Sequence, residues 1–188
     1  MTVHQTGMDL GDLERVVVGL ISDTHGTLER ALLPLLAEVD VIVHAGDLLD
    51  PGELRQLAPT SGHVVVVRGN NDTVGQWPED TEALLETLPE QAYLNLPGGL
   101  LVVEHGHQVN PASSRHERLR RRHPEARAIV YGHTHRRVID TETTPWVLNP
   151  GAAGRQRAFG GIGFLRLIAT AEEWQVDIVT LPKRGRDK

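Results

Sequence analysis

Five short apolar runs recur along the first two thirds of the chain, and each breaks off into a glycine-bearing polar turn. RVVVGLI (15–21) runs into SDTHG, VDVIVHA (39–45) into GDLLD, HVVVV (63–67) into RGNND, GLLVVE (99–104) into HGH, and RAIVY (127–131) into GHTH. Unbroken Val- and Ile-rich runs suit strands buried on both faces, held between layers. This pattern restricts the fold more than any other feature, because such strands need cover on both sides.

Helical patterns fall between the runs. TLERALLPLLAEV (27–39) has Leu and Ala at helical spacing, with a proline expected to kink it. DPGELRQLA (50–58) opens with an Asp cap and a proline at the first helical position. Segments 81–88 and 111–123 also read as helices. The alternation predicts a parallel or mixed sheet with helices outside it. After residue 137 the segments RVIDTET, WVLNPG, GIGFLRLIAT and WQVDIVTL follow one another without helices, which predicts antiparallel hairpins. The chain is expected to be one domain over 1–188, with its core at about 15–182, a polar extension at 1–14 and a frayed tail at 183–188.

The 188 residues include no cysteine, which excludes disulfides, thiolate metal sites and a cysteine nucleophile. A metal must therefore be held by His, Asp, Glu, Asn or backbone oxygen. The net charge of -6 does not suit a binder of long nucleic acid. The basic stretch RHERLRRRHPEAR (115–127) is expected to be a solvated helix face. No apolar run is long enough for a membrane span. The first residues lack the basic start and apolar core of a signal peptide. A cytoplasmic location is expected.

The five turns share a chemical property. Each carries candidate ligands just past a strand end, the edge where α/β sheets bind their ligands. These are Asp23 and His25, Asp47, Asn70, His105, and His133 with His135. Singly, each has a plain reading as a cap or turn residue. An i, i+2 histidine pair in an extended segment, as expected for GHTH, would point both rings the same way. Together, five consecutive strand ends with ligand-type residues point to metal. Seven side chains exceed what one ion takes, so two ions roughly 3.5–4 Å apart are expected, with Asp47 as the natural bridge. The mixed His/Asp/Asn set suits Mn2+ first, with Ni2+, Fe2+ or Zn2+ as other choices, rather than the all-oxygen cages of Ca2+ and Mg2+.

Asp23-x-His25, Gly46-Asp47, Gly69-Asn70, His105-Gly106 and Gly132-His133-x-His135 stand in the order of the motifs of calcineurin-like metallophosphoesterases. With HGHQV (105–109) and NPGAAG (149–154), the chain resembles the small phosphodiesterases of the YfcE type, relatives of the retromer small subunit. The resemblance covers about residues 15–182. It implies an α/β fold, a four-layer α/β/β/α sandwich of two mixed sheets flanked by helices. It implies Asp23, His25, Asp47 and His135 around a first ion, and Asp47, Asn70, His105 and His133 around a second. The implied activity is hydrolysis of a small phosphate ester, most simply a phosphodiester, by a metal-bridged hydroxide. A nucleotide or dinucleoside polyphosphate phosphatase and a protein-interaction scaffold are the alternatives. Related proteins form dimers or tetramers, so a homo-oligomer is compatible.

The chain departs from the family pattern at one place. Phosphatases of this superfamily usually carry Gly-Asn-His, and Asn71 stands where that His would be. An amide donates a hydrogen bond but cannot deliver a proton. His107 is a second candidate to act on the leaving group, and Asp72 a candidate to fix a neighbouring ligand. His44 reads as a satisfied core histidine, Asn149 as a turn support, and Arg155 and Arg157 as candidate phosphate holders at the cleft.

Overall fold

The computed structural model describes residues 2–4, 7–155 and 158–182, with side chains from residue 7 onward. Arg157 and the expected tail at 183–188 lie outside the described residues. Twelve strands are present among the described residues: β1 (Thr2–His4), β2 (Gly7–Asp9), β3 (Arg15–Ile21), β4 (Val41–His44), β5 (His63–Val66), β6 (Gln91–Leu96), β7 (Gly99–Glu104), β8 (Ala128–Val130), β9 (Val138–Asp140), β10 (Trp146–Asn149), β11 (Gly163–Thr170) and β12 (Trp174–Thr180). They form two six-stranded mixed sheets, in the orders β1-β5-β4-β3-β11-β12 and β2-β6-β7-β8-β10-β9.

Alternation along the strands divides the core into layers. Val16, Val18 and Leu20 of β3 pack in a cluster that also holds Leu94 of β6, Leu101 of β7 and Val130 of β8, so this is the seam between the sheets. Val17 and Ile21 point the other way, into a cluster with Leu32, Leu36, Leu54 and Leu85 from the helical segments. On the far face of the second sheet, Val102, Ile129 and Val147 pack with Leu119. The layers are therefore helix, sheet, sheet, helix.

The helices are shorter than the sequence pattern suggests. Segment 27–39 gives a 3-10 turn (Arg30–Leu32) and a single α-turn, α1 (Leu33–Leu36). Pro34 sits in the first turn of α1, where its missing N–H costs nothing, and so it starts the helix rather than kinking it. Residues 27–29 are drawn out of helix by other bonds: Leu28 bridges Gly154 and donates its N–H to the Glu53 carboxylate. Segment 50–58 is a 3-10 helix over Pro51–Gln56, capped by the Asp50 side chain through Gly52 N–H. The remaining α-helices among the described residues are α2 (Glu82–Thr87) and α3 (Arg115–Arg122), each directly preceded by a 3-10 turn, Glu79–Thr81 and Ala112–Ser114.

Two further findings refine the expectation. Residues in the polar extension supply an edge strand to each sheet, β1 beside β5 and β2 beside β6. The late hairpins go to different sheets: β9 and β10 extend the second, and β11 and β12 the first. Only the β9–β10 and β11–β12 pairings and the β11–β3 contact are antiparallel there, since β10 runs parallel to β8.

Candidate metal centre

The seven candidate ligands gather where the two sheets meet. Asp23, His25, Asp47 and Asn70 follow β3, β4 and β5 of the first sheet, whereas His105, His133 and His135 follow β7 and β8 of the second. Bonds across the seam fix the meeting. The His105 Nδ1–H donates to Ala45 O at 2.8 Å, and the His133 N–H to Asp23 Oδ1 at 3.1 Å.

The backbone is strained where the candidate ligands sit. Among the described residues, six non-glycine residues have positive φ, and five of them are candidate ligands: Asp23 (53°), His25 (47°), Asp47 (57°), His133 (66°) and His135 (56°). Each costs on the order of 1–3 kcal/mol and persists only where the surroundings enforce it. GHTH is thus a turn in which both histidines, but neither Gly132 nor Thr134, are left-handed, and not the extended segment expected. Its two histidines diverge. His135 Nε2 lies 3.1 Å from His25 Nε2 and 3.4 Å from Asp23 Oδ1, while His133 Nδ1 lies 2.9 Å from Asn70 Oδ1.

Two groups of donors result. One atom each from Asp23, His25 and His135 lie within 4.8 Å of one another, and so do atoms from Asp23, Asp47 and His105. Asp47 Oδ2 stands between the groups, 3.7 Å from His25 Nε2 and 3.4 Å from His105 Nε2. Asp23 joins both groups, which the sequence did not suggest. Asn70 Oδ1 completes the second side, 3.2 Å from His105 Nε2. These residues fit a cation on their own chemistry. His105 donates from Nδ1 to a carbonyl, so its Nε2 faces two acceptors, Asn70 Oδ1 and Asp47 Oδ2, an arrangement that suits positive charge there, either a proton on Nε2 or a cation in its place.

Burial and mutual charge shift the titration of these side chains in opposite directions. Burial raises the Asp23 carboxyl to about 6, against the pull of His105 and Ser22. Burial also works to raise Asp47, but hydrogen bonds and charge from His105 and Asn71 hold it well below the carboxylate range. Burial lowers the His133 imidazole to about 4, helped by His105. For His105, burial is outweighed by Asp47 and the imidazole is raised.

Comparison with known proteins identifies the domain. The sequence pattern described as the calcineurin-like phosphoesterase superfamily domain matches residues 16–171. The chain belongs to that superfamily. It is 31% identical over 156 residues to the probable metallophosphoesterase MJ0623 of Methanocaldococcus jannaschii, covering 80% of this chain and 73% of that protein. It is 22% identical over 142 residues to phosphodiesterase MJ0936 of the same organism, covering 71% of this chain and 82% of that protein. The structure of Vps29 from Chaetomium thermophilum superposes with a TM-score of 0.70 at 14% identity, over 92% of each chain, a likeness of fold alone.

Within this phosphoesterase domain, the residues around the candidate ligands form a dense set of supports. The Asp72 carboxylate accepts from the N–H groups of Asp47, Leu48, Leu49 and Gly69 and from Trp77 Nε1, all between 2.7 and 3.0 Å. It is buried and its oxygens are committed to holding the Asp47 and Gly69 turns together. Asn71 gives its backbone and side-chain N–H groups to Asp47. Asn149 donates to Gly132 O at 2.7 Å and to Thr134 Oγ1 at 3.1 Å, and so braces the GHTH turn. Ser22, which sequence reasoning passed over, donates to Asp23 Oδ2 at 2.6 Å. A hydroxyl directly before a strand-end carboxylate was its only signal.

The other candidates separate. His107 is half-buried beside the centre, its ring 5.5 Å from that of His105 and 6.4 Å from that of His133, and its buried Nδ1 has no hydrogen-bond partner among the described residues. His44 is a satisfied core histidine: Gly46 N–H donates to Nδ1, and Nε2–H donates to Thr24 Oγ1 at 3.0 Å. Arg155 pairs with Glu29 at 3.0 Å and lines a different cavity, one without a candidate ligand. On α3, Arg120 pairs with Asp140, Arg121 with Glu117 and Arg122 with Glu104, so three of the six arginines of the basic stretch have acidic partners. No helix among the described residues is long and apolar enough to cross a membrane.

Proposed function

We propose that the chain is a two-cation phosphodiesterase acting on small phosphodiesters, with Mn2+ as the first choice of ion. Asp23, His25, Asp47 and His135 would hold one cation, and Asp47, Asn70, His105 and His133 the other. The observation that carries this reading is His105, whose Nδ1–H is spent on Ala45 O while Nε2 faces Asn70 Oδ1 and Asp47 Oδ2. Divalent cations supply electrostatic stabilisation of the phosphoryl oxygens and bring the pKa of water toward neutrality.

The chain's own residues set the frame for that chemistry. Asp47 spans the two halves, and Asn71 and Asp72 hold it there through its side chain and its backbone N–H. Asn71 donates hydrogen bonds to Asp47 and has no proton to give a leaving group. His107 stands at the rim of the centre, and we assign it the hydrogen bond to the departing oxygen. With no proton available from Asn71, cleavage depends on that contact or on an ester with a good leaving group.

Turnover of bis(p-nitrophenyl) phosphate tests the proposal. Activity is expected with Mn2+, none after chelation, and elemental analysis is expected to find about two ions per chain. Absence of turnover with Mn2+, Ni2+, Fe2+ and Zn2+ alike would overturn it. Asp47→Asn separates an enzyme from a scaffold, since it abolishes turnover and leaves a scaffold's binding surface intact.

A further inference from the structure

A cavity of about 360 Å³ opens beside the centre, with the candidate ligand Asn70 and His107 in its wall. A larger cavity of about 650 Å³ lies elsewhere and includes no candidate ligand. A phosphodiester anchored at the cations must send one of its two ester arms outward, and the cavity beside Asn70 adjoins the anchor directly. Its volume lies at the lower end of small-molecule pockets, enough for one ring system and too small for a polymer.

The lining describes the arm. Glu86 and Glu90 face the cavity, with Arg68 as its cation. Arg68 and Glu90 are 4.0 Å apart and both substantially exposed, a loose pair that opens at little cost. Gln108 Nε2 donates to Glu90 Oε2 at 3.2 Å, which leaves the carboxylate free lone pairs for further donors. With Asp72 also in the wall, its oxygens already committed to the Asp47 and Gly69 turns, three carboxylates against one guanidinium disfavour a second phosphate, and Glu86 and Glu90 favour hydroxyl donors. Val74, 65% exposed, and buried Leu85 add an apolar wall against which a flat ring can lie.

We propose that this cavity takes the ester arm of the substrate and selects a neutral, hydroxyl-bearing arm of nucleoside type, with Glu90 accepting from sugar hydroxyls and Val74 packing on the base. The proposal rests on the phosphodiesterase reading above and names its substrate class. It makes Glu90 a specificity residue lying outside the ligand set.

The sign of the Glu90→Ala effect tests it. Two esters with the same leaving group are compared in the Mn2+-loaded protein: the p-nitrophenyl ester of thymidine 5′-monophosphate and bis(p-nitrophenyl) phosphate. Glu90→Ala is expected to raise KM for the nucleoside ester about tenfold, about 1.4 kcal/mol. It should leave kcat and the aryl ester within about twofold, and Glu90→Gln should recover part of the loss. Equal changes on both esters, no change, or a lowered KM would overturn the proposal, the last because it would mean that the cavity serves a second phosphate. If neither ester turns over in the unaltered protein, the phosphodiesterase reading falls by itself. Calorimetric titration with uridine 5′-monophosphate then decides the cavity alone: weaker binding in Glu90→Ala supports it, and unchanged or tighter binding overturns it.

Discussion

Asn71 holds Asp47 twice, its backbone N–H donating to Oδ1 at 2.9 Å and its side-chain amide to Oδ2 at 2.7 Å. The residue that replaces the family's usual histidine is therefore a clamp on the carboxylate between the two donor groups. Asn71→Ala is expected to lower metal affinity or turnover about 10- to 100-fold, the usual cost of losing a support to a ligand. Metal titration and kinetics on one aryl ester measure both. An unchanged metal affinity together with unchanged kcat would rule out the clamp.

Asp72 and Gly69 predict an effect on folding. The Asp72 carboxylate accepts five hydrogen bonds, and an amide in its place would turn its NH2 toward donors. Asp72→Asn should cost about 2–4 kcal/mol of stability, since charged acceptors and buried unsatisfied donors weigh most. Urea unfolding gives the value directly.

His133 and His135 should fail differently. Their rings face different partners, Asn70 for one and His25 with Asp23 for the other. His133→Ala is expected to lose mainly the cation on the Asn70 and His105 side, and His135→Ala the one on the Asp23 and His25 side. Elemental analysis should find about one ion per chain in each variant. Anomalous scattering or paramagnetic signals should place the remaining ion at opposite ends.

Gly69 sits where a side chain has no room. A Cβ there would press on the Asp47 carboxylate and on its backbone nitrogen. Gly69→Ala should therefore displace Asp47, with metal content falling below one ion per chain while the far-UV circular dichroism stays that of the parent. Retention of both ions would mean that the Gly69 turn can move aside, and that the close approach is not required.

Much of the fold was legible along the chain because apolar periodicity is a local property. β3 spans the residues that the run RVVVGLI marks, and β7 those of GLLVVE. The strand β6 was missed although Ala92, Leu94 and Leu96 alternate with exposed neighbours, since its polar half masks the run. Segment 27–39 misled because helical spacing does not register that Leu28 will pair with Gly154, a residue more than a hundred positions away.

The sequence by itself determined the layered α/β class, the absence of thiol chemistry, and the seven residue types at five strand ends. Each of those follows from patterns a few residues long. The tertiary structure decided how the ligand-type residues divide into donor groups, because that division depends on where two separate sheets meet. It turned GHTH from an expected extended pair into a turn with both histidines left-handed, braced by Asn149 and Asp23 from other segments. It placed Asp23 in both groups of donors and Asn71 on Asp47. Side-chain direction at strained positions is imposed by distant hydrogen-bond partners, and no local pattern carries that information.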